Sequence, residues 1–323
     1  MIAEHPTLSI IVPCYNHETF IVECLNQIRA QGFDDYEVIV LDDHSSDRTA
    51  AVVTEFIRKT GDQRFRFFQN EANLGSTRNF NKGLNLALGY YTCFVSGDDF
   101  WDTDFIATVM SVILEGRLDF AFCRTAIINA SGKEIGLIPA GQPVFHNSNE
   151  IFIAMLNGNI IAGHSIIFRT AALQQSGYFD DSFVYLSDWE FFIRLCRDSR
   201  GAFVNRKLAF YRIHGSNMGL KQFKDDTFDE IRNIMERYVF DKKHSIPSRE
   251  KIFHVNILNF AASCLYNYNY PLAMRALKYG KMRIGLRFFL DLKIVFCYAL
   301  AILRSNNLID LIAWLRGRKT AHF

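Results

Sequence analysis

Short runs of apolar and β-branched residues alternate with amphipathic stretches over the first two-thirds of the chain. Such runs predict β-strands, and four of them occupy residues 8–13, 36–41, 64–69 and 90–95. Between the first two, Ile21, Leu25 and Ile28 recur at helical spacing and predict a helix over residues 18–31. This alternation predicts an α/β domain with a mostly parallel sheet and helices on both faces.

The pattern changes after residue 104. Residues 188–198 predict a helix, and from about residue 222 onward all patterns are helical. We therefore predict one domain over residues 1–218 and a separate helical region over residues 219–323. Further apolar runs predict strands that extend the sheet in mixed orientation, at residues 118–128, 165–169 and 208–213.

Composition predicts a globular protein. With 323 residues and 49% hydrophobic content, the chain can form a large α/β domain and a smaller appendage. The seven cysteines are scattered without a CxxC pair, which favours a reducing compartment and argues against a structural zinc site. The first residues lack the basic and apolar regions of a signal sequence, so we expect a cytoplasmic protein.

The last 53 residues differ in charge from the rest of the chain. Residues 271–323 contain ten Lys or Arg and two Asp, a local net charge of +8 in a chain whose total is +2. Their longest apolar run, residues 294–303, is too short to span a bilayer. Two interpretations remain open: an interfacial helix on the inner face of the plasma membrane, or a packed helical subdomain with a solvated basic face. No recognised nucleic-acid-binding motif is present, so we expect no nucleic-acid partner.

Polar residues follow three of the predicted strands. The first strand ends in PCYN, the second in DDHSSD and the fourth in SGDD. Ligands of open α/β sheets bind beyond the carboxyl ends of the strands. Asp98 and Asp99 repel each other unless a cation or hydrogen-bond donor lies between them, which suggests a divalent metal. Neither G-x-G-x-x-G after the first strand nor a P-loop sequence occurs.

In combination, these motifs resemble the family 2 glycosyltransferases. The matching segments begin with LSIIVPCYN and DDHSSDRT, continue with NLGSTRN and SGDDFWD, and end with SDWEFFIRL and YRIHGSN, all in family order. The resemblance covers about residues 7–217. It implies a GT-A fold, which is a Rossmann-like, mostly parallel sheet flanked by helices, here with a C-terminal helical extension.

The resemblance also implies how a nucleotide-sugar would bind. Asp42 would accept a hydrogen bond from the uracil of a UDP-sugar, a role that suits a carboxylate. Tyr15 would cover the base, next to Pro13, and Arg78 would lie near the base or the diphosphate. The alternatives are a turn or helix cap for Asp42 and a surface position for Arg78.

For the metal, the resemblance implies Mn²⁺ or Mg²⁺ at the SGDD motif. Asp99 would bind the ion, and Asp98 would contact the ribose hydroxyls or a metal-bound water. The chain departs from the commoner family motif, because Ser96 replaces an acid. His214 matches a histidine that completes the metal shell in some relatives, and its alternative is an ordinary loop histidine.

The SDWE motif supplies the predicted general base. By resemblance, Asp188 would remove the proton of the acceptor hydroxyl, although an aspartate at a helix start is also an ordinary cap. Glu190 is the rival base, and it points to a different side of the helix. Aromatic residues that stack on sugars could line the acceptor pocket or belong to the core. The acceptor candidates are Trp101, His164, Trp189 and Glu190.

The function implied is an inverting, metal-dependent transfer of a sugar from a UDP-sugar to a saccharide hydroxyl. Together with the basic tail, the family suggests a polyprenyl-diphosphate-linked acceptor and a role in surface polysaccharide or O-antigen synthesis. A sugar nucleotidyltransferase would need a Gly-rich, basic loop after the first strand. A phosphoacceptor signalling domain would be shorter, with a Lys after its last strand. A non-catalytic carbohydrate-binding relative could lack Asp188.

Overall fold

A computed structural model describes residues 5–214, 225–241, 246–285, 288, 293–295 and 297. The chain divides into two compact units. The first contains residues 1–155 and 159–214, and the second contains residues 156–158 and 215–323.

Nine strands of the first unit form a single sheet within the described residues. Their order across the sheet is β3-β2-β1-β4-β8-β6-β9-β5, and β7 pairs with β6 outside this path. The strands are β1 (Leu8–Cys14), β2 (Tyr36–Asp42), β3 (Phe65–Gln69), β4 (Tyr91–Phe94), β5 (Phe100–Trp101), β6 (Phe120–Asn129), β7 (Glu134–Ile138), β8 (Ile166–Arg169) and β9 (Gly201–Ile213).

The first four strands are mutually parallel, as the alternating pattern predicted. Every residue of β1 and β2 is buried. This explains why both are nearly continuous apolar runs, since a parallel sheet is covered on both faces. The helices of the first unit are α1 (Ile21–Arg29), α2 (Thr49–Thr60), α3 (Ser76–Leu86), α4 (Phe105–Gly116), α5 (Ser148–Asn157), α6 (Thr170–Ser176) and α7 (Ser187–Asp198), of which α5 extends into the second unit.

The other strands make the sheet mixed. β8 is antiparallel to both β4 and β6, and β6 is parallel to β9. β9 begins at Gly201, seven residues before the predicted start at residue 208. The prediction missed this part because Asn205, Arg206 and Lys207 are exposed, which interrupts the apolar pattern.

The segment NLGSTRNFNKGLNLALG, residues 73–89, predicts a helix that ends at Gly89, but α3 ends at Leu86. Gly89 instead lies against β1, where its amide donates to Ser9 Oγ at 2.8 Å. A Cβ atom at this position would lie 2.5 Å from the Ser9 amide nitrogen. Gly89 is therefore required for close approach of two backbones rather than for capping.

The described part of the second unit is helical, as predicted. An aromatic cluster forms part of its core, in which Phe228 stacks on Phe260 and Tyr279 contacts Phe253. No helix in the described ranges combines the length and apolar character needed to cross a bilayer. Most of the predicted interfacial segment lies outside the described residues. The helices of this unit are α8 (Asp225–Ile234), α9 (Arg249–Tyr266) and α10 (Tyr270–Ile284), with a π-helical turn at Met235–Val239.

Candidate active site

The polar segments after β1, β2 and β4 meet at one edge of the sheet. The Asp43 amide donates to Cys14 O at 2.9 Å, and the Gly97 amide donates to Pro13 O at 3.0 Å. The three strand ends are thus joined by backbone hydrogen bonds. This is the edge at which open α/β sheets bind ligands.

Asp42 is fully buried at the end of β2. Its Oδ2 atom accepts from the Ser45 amide and from Gln69 Nε2, both at 3.1 Å, and its Oδ1 atom accepts from the Ser45 hydroxyl. Tyr15, by contrast, is 45% exposed after the buried Pro13. The carboxylate of Asp42 is therefore held in one orientation, while the nearby phenol is accessible.

Asp43 fixes the loop that leads into α3. Its carboxylate accepts from Asn70 Nδ2 at 2.8 Å, from the Leu74 amide at 2.9 Å and from the Gly75 amide at 3.0 Å. The start of α3 in turn contacts the start of α7, where Thr77 Oγ1 lies 3.1 Å from Ser187 Oγ. Through these contacts, the Asp43 carboxylate helps to position the N-termini of α3 and α7.

Arg78 follows Thr77 at the start of α3, and its side chain is 65% exposed. Its guanidinium is 3.2 Å from the carboxylate of Asp181. An ion pair this exposed contributes little to stability. Arg78 is therefore accessible to an anionic ligand.

Asp98 contacts two histidines. Its Oδ2 atom lies 2.9 Å from His214 Nε2 and 3.6 Å from His17 Nε2. Its Oδ1 atom is buried without a hydrogen-bond partner among the described residues. Burial alone would raise the pKa of Asp98, but the hydrogen bond from His214 and the charge of His17 outweigh it and lower the pKa to about 2.

The sequence prediction missed His17. It lies in the loop after β1, four residues beyond Pro13, in the segment PCYNHET. The available signal was its position at a polar strand end. A lone histidine at that position does not reveal that it will meet Asp98, 81 residues later in the chain.

Asp99 has different surroundings from Asp98. Its Oδ1 atom accepts from the Arg212 amide at 2.9 Å, and its Oδ2 atom is 3.3 Å from His164 Nδ1. Burial, reinforced by the charge of Asp98, raises the pKa of Asp99 well above its usual range. Both carboxylate oxygens of Asp99 therefore contact protein groups, whereas Asp98 Oδ1 has no partner in the described part of the chain.

A divalent cation fits Asp98 better than Asp99. No group of three or more His, Cys, Asp or Glu side chains in the described ranges could hold a metal by itself. Mg²⁺ and similar ions in nucleotide sites, however, take one or two protein ligands and complete their shell with phosphates and waters. The buried Oδ1 atom of Asp98 has no partner among the described residues and is available as such a ligand.

Asp188 lies in the first turn of α7 and is half-buried. Its Oδ2 atom accepts from Asn159 Nδ2 at 3.0 Å, and its Oδ1 atom accepts from the Trp189 amide at 2.7 Å. A short segment, residues 159–164, runs from this contact to His164, which touches Asp99. Asp188 and the SGDD motif are thus connected through one short stretch of chain.

Glu190, the alternative general base, is buried and paired with Arg194. Its two oxygens accept from Arg194 Nε and Nη2 at 2.9 and 2.8 Å. Arg194 also donates to the carbonyls of Gly177 and Tyr178 at 3.1 and 2.7 Å, which anchors α7 to the loop before it. This contact pattern is typical of a structural ion pair and does not fit the acceptor-facing role considered for Glu190.

The remaining acceptor candidates lie in the interior. The Trp101 indole is 1% exposed and donates to His164 O at 2.6 Å, and the Trp189 indole donates to Met155 O at 2.7 Å. Burial lowers the pKa of His164 to about 4, and its ring stacks on Tyr211. Buried indoles with satisfied N–H groups fit the core interpretation rather than a sugar-stacking surface.

The mixed sheet with carboxylates at one edge is typical of glycosyltransferases with the GT-A fold. The model of the family "Glycosyl transferase family 2" matches residues 9–177. The chain belongs to this family.

Individual relatives agree with this assignment. Escherichia coli WfgD, named as the UDP-Glc:α-D-GlcNAc-diphosphoundecaprenol β-1,3-glucosyltransferase, is 26% identical over 220 residues, which cover 68% of this chain and 81% of WfgD. Residues 1–349 of Staphylococcus aureus TarS in complex with UDP-GlcNAc give a TM-score of 0.70 at 19% identity, covering 97% of this chain and 92% of that one. The mannosyltransferase PcManGT of Pyrobaculum calidifontis, in complex with GDP-Man and Mn²⁺, gives a TM-score of 0.58 at 15% identity, covering 98% and 88%. The two structural likenesses concern the fold.

Proposed function

We propose that this glycosyltransferase transfers a sugar from a UDP-sugar to a hydroxyl of a lipid-linked saccharide, with inversion at the anomeric carbon. The observation that carries the proposal is the meeting of Asp42, Asp98 and the accessible Tyr15 at one sheet edge. Asp42 supplies a hydrogen-bond acceptor for the nucleobase, Asp98 part of a metal shell, and Tyr15 a ring on which the nucleobase can stack. A metal-bound nucleoside diphosphate needs all three.

The donor assignment to UDP has two supports. Asp42 is an acceptor without donors, which suits the N–H of a uracil ring, and Ser45 and Gln69 hold it in place. TarS, which shares the fold, forms a complex with UDP-GlcNAc. Arg78 is exposed at the start of α3 and would contact the base or the diphosphate.

We propose that Asp98 and His214 hold the Mn²⁺ or Mg²⁺ that accompanies the diphosphate. The ion would supply positive charge against the UDP leaving group. The resemblance implied Asp99 as the ligand, a prediction that stays untested; because both Asp99 oxygens contact protein groups, the Arg212 amide and His164, we assign the ion to Asp98. Asp98 thus presents an oxygen to the donor, while Asp99 holds the loop.

Asp188 is the proposed general base. Its carboxylate is half-exposed, whereas Glu190 is closed off by Arg194. The carboxylate would remove the proton of the acceptor hydroxyl as this hydroxyl attacks the anomeric carbon from the face opposite UDP. Such an attack inverts the configuration at that carbon, so an α-linked donor gives a β-glycoside. The name of WfgD specifies a β linkage from UDP-Glc.

The acceptor is proposed from WfgD and from the basic tail. WfgD acts on a GlcNAc-diphosphoundecaprenol, a polyprenyl-linked sugar. Residues 1–218 would form the catalytic domain, and residues 219–323 would include a segment that binds the inner membrane surface, where such acceptors and anionic lipids are found. This role fits surface polysaccharide or O-antigen synthesis.

The test is release of UDP from a panel of UDP-sugars with Mn²⁺, with and without GlcNAc-diphosphoundecaprenol, and with GDP-mannose as the donor control. We expect acceptor-dependent release from one UDP-sugar and a β-anomeric proton in the NMR spectrum of the product. Binding of UDP without turnover of any donor would favour the non-catalytic alternative. Formation of a UDP-sugar from UTP and a sugar phosphate would instead identify a nucleotidyltransferase.

A further inference from the structure

The loops that follow β1 and β2 are joined by hydrogen bonds in both directions. The Glu18 amide of the first loop donates to Asp47 Oδ2 of the second at 3.1 Å. In return, the Arg48 amide donates to Glu18 Oε2 at 3.0 Å. The His17 amide also donates to Thr49 Oγ1 at 2.8 Å. These contacts hold the two loops together beyond the ends of their strands.

Asn16 contributes to this junction with both its backbone and its side chain. Its amide donates to Ser45 Oγ at 2.9 Å. Its Oδ1 atom accepts from the Ser46 amide at 2.9 Å and from the Ser46 hydroxyl at 3.2 Å. The φ angle of Asn16 is 57°, in the left-handed region that asparagine tolerates better than most residues with a side chain. Asparagine therefore suits this position in its backbone conformation and in its carbonyl acceptor.

Ser45 connects Asn16 to Asp42. The oxygen of the Ser45 hydroxyl accepts from the Asn16 amide, and its single hydrogen is donated to Asp42 Oδ1. The Ser45 amide donates to Asp42 Oδ2 at 3.1 Å. The backbone of Asn16 is thus two hydrogen bonds away from the carboxylate that we assign to the nucleobase.

Tyr15 lies between two residues that are bonded to the loop after β2. On one side, the Cys14 carbonyl accepts from the Asp43 amide at 2.9 Å. On the other side, the Asn16 amide is bonded to Ser45. The backbone on either side of Tyr15 is therefore tied to that loop, and the place of its 45% exposed side chain depends on both bonds.

We propose that Asn16 is a positioning residue for the nucleobase of the donor. Asn16 sets the place of Tyr15 relative to Asp42, so that one uracil ring can stack on the phenol and donate to the carboxylate. The inference rests on the proposed function, in which these two side chains contact the base. Asn16 acts through them and need not touch the ligand. Its loss should weaken binding of the base and spare binding of the diphosphate, which is assigned to other residues.

The experiment is calorimetry on the full chain with Mg²⁺, with UDP and inorganic pyrophosphate as separate ligands. Asn16→Ala removes the acceptor and disfavours the left-handed backbone, whereas Asn16→Gly removes only the acceptor. Asn16→Asp keeps an acceptor and tolerates the same backbone. The matched control is Asp47→Ala, which removes contacts with Glu18 and Thr49 within the same two loops but none with Ser45. Urea unfolding gives the stability of each variant.

We expect the affinity for UDP to fall roughly tenfold or more in Asn16→Ala, because a hydrogen-bonded acceptor and a backbone preference are lost together. Asn16→Gly should show a smaller loss, and Asn16→Asp should bind UDP as the parent does. Pyrophosphate affinity should equal that of the parent in all three variants. Asp47→Ala should lower stability and leave the ratio of UDP to pyrophosphate affinity unchanged.

Two results would show that Asn16 has only a structural role and would overturn the inference. One is an equal loss of UDP and pyrophosphate affinity in Asn16→Ala, and the other is the same selective loss of UDP affinity in Asp47→Ala. Unchanged UDP affinity in Asn16→Ala would also overturn the inference and leave the proposed function intact. If Asn16→Ala does not fold, the same criteria apply to Asn16→Gly. A parent that binds UDP no more tightly than pyrophosphate would overturn the assignment of the base site as well.

Discussion

Asp188 and Glu190 lie two residues apart on α7, and carboxylate-to-amide substitutions at the two positions should have opposite effects. Asp188 is half-buried and bonded to the Asn159 amide group, whereas Glu190 is buried and paired with Arg194. We expect Asp188→Asn to lose activity and keep stability. We expect Glu190→Gln to lose stability and keep the turnover number of the folded fraction.

The magnitudes follow from the contacts. Asp188 lies in the first turn of α7, whose N-cap is Leu186, and an asparagine there retains one carbonyl acceptor, so the free energy of unfolding should change by about 1 kcal/mol or less. The substitution removes the basicity, which should lower transfer by ~10²-fold or more. Breaking a buried ion pair costs about 3–5 kcal/mol. A glutamine in place of Glu190 would keep one acceptor, and Arg194 would keep its contacts with the carbonyls of residues 176–178, so about 2 kcal/mol is expected for Glu190→Gln.

Two assays separate these outcomes. Urea unfolding followed by circular dichroism gives the stability of each variant, and UDP release at saturating donor and acceptor gives the turnover number. UDP binding, measured by calorimetry with Mn²⁺, should remain close to that of the parent in Asp188→Asn. If Glu190→Gln were inactive but stable, and Asp188→Asn active, the assignment of the base would be reversed. Activity in both variants would refute proton removal by either carboxylate of α7.

Three further predictions concern other parts of the molecule. EDTA should abolish turnover and Mn²⁺ should restore it, and full activity in the chelator would refute the metal assignment. Asp43→Ala should lower the free energy of unfolding by roughly 3 kcal/mol in urea, because three donors lose their acceptor; an unchanged midpoint would contradict this. Deletion of residues 298–323 should abolish flotation with anionic vesicles and leave UDP binding intact; flotation equal to that of the full chain would contradict the membrane proposal. This deletion retains the buried Phe288 and Ile294.

Much of the sheet was predictable because its strands are buried on both faces. β1 and β2 are apolar except for Ser9, Glu37 and the final Asp42, and their predicted bounds differ from the observed ones by one residue. The first half of β9 was not predictable, because Asn205, Arg206 and Lys207 face solvent and break the pattern. The prediction of a helix end at Gly89 was wrong, because the sequence does not distinguish a glycine that caps a helix from one that allows two backbone segments to approach closely.

The difference between Asp98 and Asp99 shows why site chemistry is harder to predict than strands. In sequence, two adjacent carboxylates are equivalent, since each follows the same buried strand. In the fold, partners from more than 100 residues away separate them: the Arg212 amide is bound to Asp99, and His214 contacts Asp98. Periodicity contains no information about such distant contacts. Periodicity can therefore identify the edge at which a ligand meets the sheet. Which of the two carboxylates has an oxygen without a partner among the described residues depends on the positions of β9 and of the loop after β1.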